Sequence, residues 1–118
     1  MREPATLLAD YVRAHNHGVR TADFRALGEL LLPTATLRFH GIGVGPFDGA
    51  TAVLQAFCDQ PPDDELTVGP CRDFEANTVE AAYGWARAPG QSAGRLRITA
   101  QRDRISAIRV EVFTERRT

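Results

Sequence analysis

Between Thr34 and Phe57 the chain reads TATLRFHGIGVGPFDGATAVLQAF, a strand pattern joined to a helix pattern through a loop with glycine at Gly41, Gly43, Gly45 and Gly49. No other segment constrains the fold as much. The residues before it repeat with helical spacing and those after it with strand spacing, so it is the hinge of an α+β domain built around one apolar interior.

In the amino-terminal part, Leu8, Tyr11, Val12 and His15 follow the i, i+3, i+4, i+7 rule, which predicts a first helix over about Ala5 to His17. Gly18 is expected to end it. Thr21 is then placed to cap a second helix, with Phe24, Leu27 and Leu31 as its buried stripe and Pro33 as its stop. From Thr34 to His40 the side chains alternate, with Ala35, Leu37 and Phe39 on the inner face and Thr36, Arg38 and His40 on the outer one. The glycines allow the chain to turn, and Asp48 is expected to cap a third helix carrying Val53, Ala56 and Phe57.

Four strand patterns follow, at Leu66 to Glu75, Thr78 to Ala88, Ala93 to Arg102 and Arg104 to Thr114. Turn signals at Ala76 and Asn77, at Pro89 and Gly90, and at Asp103 make them an antiparallel meander. In the second strand Val79, Ala81, Tyr83 and Trp85 alternate with Glu80, Ala82, Gly84 and Ala86, a face composed mainly of small residues. That face is either a homodimer interface through the sheet or ordinary exposed surface.

Composition narrows the function classes. At 118 residues and 43% hydrophobic content, the chain fits one domain, 1–118, with a single core. The net charge of −1 comes from 14 arginines against 15 acids, spread without a run of one sign, which excludes a nucleic-acid stripe. With no lysine in the chain, amine nucleophiles and Schiff-base chemistry are excluded. Cys58 and Cys71 lie outside any CxxC, and are expected to be reduced, buried thiols of a cytoplasmic protein. MREPATLLADYVRAH has neither the apolar core nor the small-residue cleavage site of a signal peptide, and no apolar run is long enough to span a bilayer.

The order helix, helix, strand, glycine loop, helix and four strands resembles the nuclear transport factor 2 superfamily, in its SnoaL-like and ketosteroid-isomerase-like branch. The residues carrying the likeness are LLADYV, TADFRALGELLLPTATLRF, GPFDGATAVLQAF and DRISAIRVEVF, which together extend over nearly the whole chain. The resemblance implies a cone-shaped α+β barrel, with a curved, mainly antiparallel sheet wrapped around three N-terminal helices and a pocket at its open end. Folds of this kind host many functions, so activity has to be argued from the residues.

Ketosteroid isomerases use a carboxylate base together with a tyrosine and a protonated aspartic acid that donate to the developing enolate. The resemblance places the tyrosine at Tyr11. The base position falls on Phe39, with His40 alongside, and the second donor position falls near Ile98, so hydrocarbon replaces both carboxyl groups. Limonene-epoxide-hydrolase chemistry, also known in this fold, needs a carboxylate and arginine network that Asp73, Arg97 and Glu111 do not match. A substitute acid–base group is His15, four residues after Tyr11 and hence on the same helix face, with His40 as a further candidate.

Other chemistry has little support. His15, His17 and His40 do not have zinc-ligand spacing, so no metal is expected. Pro46 and Phe47 interrupt the glycine run where a phosphate loop would enter its helix. Neither Ser92 nor Ser106 has a nucleophile-elbow context, and no cofactor is implied.

The expected pocket is lined by Tyr11, His15, Phe39, Phe57, Tyr83 and Trp85, with Ile98, Val110 and Val112 deeper in the sheet, walls suited to a small apolar molecule. Three functions are compatible with it. One is cofactor-independent acid–base isomerisation or hydrolysis of an apolar metabolite by Tyr11 and His15. Another is noncatalytic carriage or sensing of such a molecule, and the last is a dimerising module with a filled core.

Overall fold

The computed structural model describes residues 3–113, so Thr114 of the last strand pattern lies outside the described residues. Helix α1 (Pro4–Thr21) is followed by a short α2 (Arg25–Glu29), strand β1 (Leu31–His40), the two-residue β2 (Phe47–Asp48) and helix α3 (Ala50–Asp59). Strands β3 (Leu66–Val68), β4 (Arg72–Glu75), β5 (Thr78–Trp85), β6 (Gly94–Gln101) and β7 (Arg104–Val112) complete the chain.

All seven strands belong to one curved sheet of order β2-β1-β7-β6-β5-β3, with β4 also paired to β5. Only β1 and β7 run parallel among these pairs. The sheet is the open wall of an α+β cone and does not close on itself. Helix α1 packs across β6, β5 and β3, while α3 packs on β1 and α2. Between the layers lie Leu7, Leu27, Leu37, Val53, Leu96, Ile98, Ile105 and Ile108, all fully buried. Each comes from the apolar phase of its own element.

Several local expectations change. Gly18 does not end α1: a Cβ there would lie 2.2 Å from Cδ1 of Phe24, so the glycine is required for helix α1 to touch that ring. The helix ends at Thr21, where Ala22 takes the left-handed conformation at φ 64° and its N–H donates to the Gly18 carbonyl at 2.7 Å. Thr21 therefore closes α1 instead of capping α2, and Asp23 receives the Arg25 N–H at 3.0 Å. Leu31 and Pro33 belong to β1, since α2 has already ended at Glu29. Asp48 does not cap α3 either. It pairs with Thr36 in the β1–β2 ladder and its carboxylate lies 3.4 Å from the Arg38 guanidinium, while Gly49 takes the N-cap position.

The strand pattern at Leu66 to Glu75 is two strands, because Gly69 and Pro70 interrupt it and proline has no N–H to give the ladder. Cys58 and Cys71 are exposed free thiols, not buried ones. Cys58 follows Phe57 on α3 and so faces away from the core, and Cys71 sits in the break between β3 and β4.

The outer face of β5 is also less bare than its small residues suggest. Glu80 is 3% exposed and is held between Arg72 at 2.6 Å and Arg97 at 2.8 Å. Arg97 in turn lies over the exposed ring of Phe74, 4.0 Å from its centroid. Arg72 and Arg97 together hold the Glu80 carboxyl below its ordinary range, Arg72 contributing most. Arg97 is thus spent on the convex face, away from the interior.

Candidate functional site

The concave side of the sheet and helices α1 and α3 enclose an open cavity of about 550 Å³. Helix α1 brings Tyr11 and His15 to it on consecutive turns, both only 3% exposed, with ring centroids 6.2 Å apart. Strand β5 brings Tyr83 and Trp85, two residues apart and so on one face, their rings edge to face at 5.8 Å. Phe57 of α3 meets the His15 ring edge-on at 6.0 Å, and Trp85 lies 6.2 Å from it on another side. Imidazole is thereby enclosed by three aromatic rings.

Hydrocarbon forms most of the remaining wall, including Leu37, Phe39, Leu96, Val110 and Val112, with Gln60, Gln91 and Ser92 as uncharged polar members. The rim is formed by Ile42 and Val44 of the glycine loop and by Phe113, each more than a third exposed. Gly41 sets that loop's direction: it sits at φ 100°, and a Cβ would lie 2.3 Å from the Val112 carbonyl oxygen. No Asp, Glu or Arg side chain is among the described residues lining the cavity.

Polar groups nonetheless converge there. The Tyr11 and Tyr83 hydroxyls, Trp85 Nε1 and His15 Nε2 make no hydrogen bond among the described residues. No fully enclosed side-chain nitrogen or oxygen among those residues lacks a partner, so each of these atoms retains open space beside it. Burial raises the pKa of both tyrosines, strongly for Tyr11, where the neighbouring Tyr83 adds to the effect. Both phenols therefore stay protonated at neutral pH and are hydrogen-bond donors. Burial also lowers the pKa of His15, against the opposing influence of its bond to Asn16 and the charge of Glu65, so its ring is neutral at neutral pH.

Asn16 is the residue that the sequence reading missed. Its Nδ2 donates to the Leu66 carbonyl at 3.0 Å, its Oδ1 accepts the Leu66 N–H at 2.7 Å, and the same Oδ1 lies 2.9 Å from His15 Nδ1. The available signal was an asparagine in the interior of a helix, a position it disfavours unless its amide has work elsewhere.

Of the expected site residues, Tyr11, His15, Phe39, Phe57, Tyr83, Trp85, Val110 and Val112 are brought together around the cavity. Ile98 is not. It pairs with Val79 and Ile108 in the middle of the sheet, fully buried behind the wall. His40 is exposed, stands opposite Glu111 in the β1–β7 ladder and does not line the cavity, because strand parity holds up to the glycine loop. The three histidines are far apart in function: His15 is enclosed, whereas His17 and His40 face outward. Among the described residues no three His, Cys, Asp or Glu side chains form a metal-sized group.

No protein-family model matches the chain, and no curated protein matches it by sequence. Solved structures do match. An NTF2-like protein of unknown function from Cytophaga hutchinsonii superposes with a TM-score of 0.70 at 16% identity, over 96% of this chain and 92% of that one. A protein provisionally assigned as a ketosteroid isomerase, from Kribbella flavida, gives 0.75 at 12% identity, over 96% and 79%. Another, provisionally assigned as a polyketide cyclase, from Sinorhizobium meliloti, gives 0.57 at 18% identity, over 86% and 93%. At such identities the likeness establishes the fold and leaves the chemistry to the residues.

Proposed function

We propose that this chain, which has the nuclear transport factor 2-like fold, binds an uncharged, largely apolar metabolite in the cavity and acts on it by cofactor-independent acid–base chemistry. The observation that carries this reading is the clustering of Tyr11, Tyr83, Trp85 and His15, each with a polar atom unpartnered among the described residues, in a cavity whose other walls are mainly hydrocarbon. His15 is the proton acceptor, since a neutral imidazole holds a lone pair at Nε2. Tyr11 donates a hydrogen bond to oxygen on the ligand, its protonated state secured by burial. An ionised ligand is disfavoured because the described lining residues offer no counter-charge.

Thermal-shift screening of matched charged and uncharged apolar compounds tests the binding, with only the uncharged members expected to raise Tm. For a bound compound that is converted, Tyr11→Phe and His15→Ala are each expected to lower kcat by about a hundredfold or more. Turnover undiminished in both variants removes the acid–base assignment.

A second reading, a noncatalytic carrier or sensor, is favoured by Phe39, which puts a phenyl ring on the cavity wall where the isomerase pattern has its base. Under that reading the ligand is recovered unchanged and Tyr11→Phe alters Kd alone. The open volume of about 550 Å³ favours these two readings over a dimerising module with a filled core.

A further inference from the structure

Asn16 lies one residue beyond the cavity lining, yet it determines what His15 offers to the cavity. Its amide cannot be reversed, because Leu66 presents both a backbone donor and a backbone acceptor: the N–H requires an oxygen at 2.7 Å and the carbonyl requires a nitrogen at 3.0 Å. Oδ1 is thus fixed as an acceptor, and the group 2.9 Å away at His15 Nδ1 has to donate to it. A neutral imidazole carries one N–H. With that proton held at Nδ1, Nε2 carries the lone pair, and Nε2 has open space beside it and no partner among the described residues.

We infer that Asn16 is a positioning residue that fixes His15 as its Nδ1–H tautomer, so that the cavity selects an uncharged ligand presenting an O–H or N–H donor to His15 Nε2. The inference rests on reading the cavity as a small-molecule site, and it goes further by naming the hydrogen-bonding character of the ligand. A ligand with acceptors alone satisfies Tyr11, Tyr83 and Trp85 but leaves the buried Nε2 lone pair unpaired. A carboxylate brings a second acceptor charge toward that lone pair with no cation lining the site.

The test has two parts on the full chain at neutral pH. Long-range proton–nitrogen correlation spectra, with the His15 signals identified by their loss in His15→Phe, are expected to show Nδ1 protonated and Nε2 unprotonated. In Asn16→Ala the Nδ1–H form is expected to lose its dominance, a change that a merely structural role for Asn16 would not produce. An Nε2–H tautomer in the unmodified protein overturns the inference. Calorimetric titration then compares para-phenylphenol, its methyl ether and the corresponding biphenyl carboxylate. The phenol is expected to bind about three- to tenfold more tightly than the ether, the carboxylate more weakly than either, and His15→Phe is expected to abolish the preference for phenol. Equal or tighter binding of the ether overturns the donor requirement while leaving the small-molecule reading intact. Binding by none of the three removes that reading and the ligand class with it.

Discussion

Asn16 holds both backbone groups of Leu66, accepting its N–H at 2.7 Å and donating to its carbonyl at 3.0 Å. Leu66 pairs with Trp85 along one edge of β3, and Asn16 meets its backbone groups from α1, fifty residues earlier in the chain. One side chain therefore ties the first helix to an edge strand and orients His15 as well. Asn16→Ala is expected to destabilise the fold by about 1–3 kcal/mol, the usual penalty for leaving a partly buried backbone group unpaired. Urea unfolding monitored by Trp85 fluorescence measures it.

Gly18→Ala places a Cβ 2.2 Å from the Phe24 ring and should destabilise by about 1–3 kcal/mol, even though alanine is the better helix former. Adding Phe24→Leu should recover part of the loss by giving the new methyl group room. A double-mutant cycle on unfolding midpoints reads the coupling, and strict additivity of the two changes would contradict the contact.

His15 supplies a pH dependence of defined sign. Its folded pKa is lowered by burial, so the stability associated with the neutral ring is present above the unfolded value of about 6.5 and falls as pH drops through that value toward the folded one. His15→Phe is expected to flatten this part of the profile. The measurement is the difference in unfolding free energy between the two proteins across mildly acidic pH.

Glu80 acts at lower pH. Arg72 first, and Arg97 in addition, hold its folded pKa down, so its contribution is full above an ordinary glutamate value of about 4.3 and is lost as pH falls through the folded value. At neutral pH Glu80→Gln is expected to lower stability by about 1–3 kcal/mol, since both guanidiniums lose a charged acceptor. The two proteins should converge on acidification, a trend that denaturant titrations at several pH values will show.

Cys58 and Cys71 are exposed, so both should react with a thiol reagent in the native protein without denaturant. Reaction of only one, or of neither until unfolding, would contradict the placement of α3 or of the β3–β4 break.

Periodicity disclosed most of this architecture because it is a local property. The alternation of Ala35, Leu37 and Phe39 and the spacing of Tyr11 and His15 assign each residue to a face before anything is known of its neighbours. Elements whose conformation is decided by a distant partner were misread. Gly18 has the composition of a helix stop and is a helix contact because Phe24 lies against it. Asp48 has the composition of a cap and is a strand residue because Thr36 pairs with it. Cys71 reads as apolar but occupies a break that follows from Pro70.

By itself the sequence determined the order of the main elements, though neither the short β2 nor the break between β3 and β4, and most of the inward faces, since hydrophobic spacing along one segment dictates which side avoids water. Tertiary structure alone decided that Ile98 closes the core instead of lining the cavity, that His40 faces solvent, and that Asn16 bridges His15 and the Leu66 backbone. Depth within a sheet and the partner of a side-chain amide depend on which segments meet across tens of residues. No local pattern carries that information.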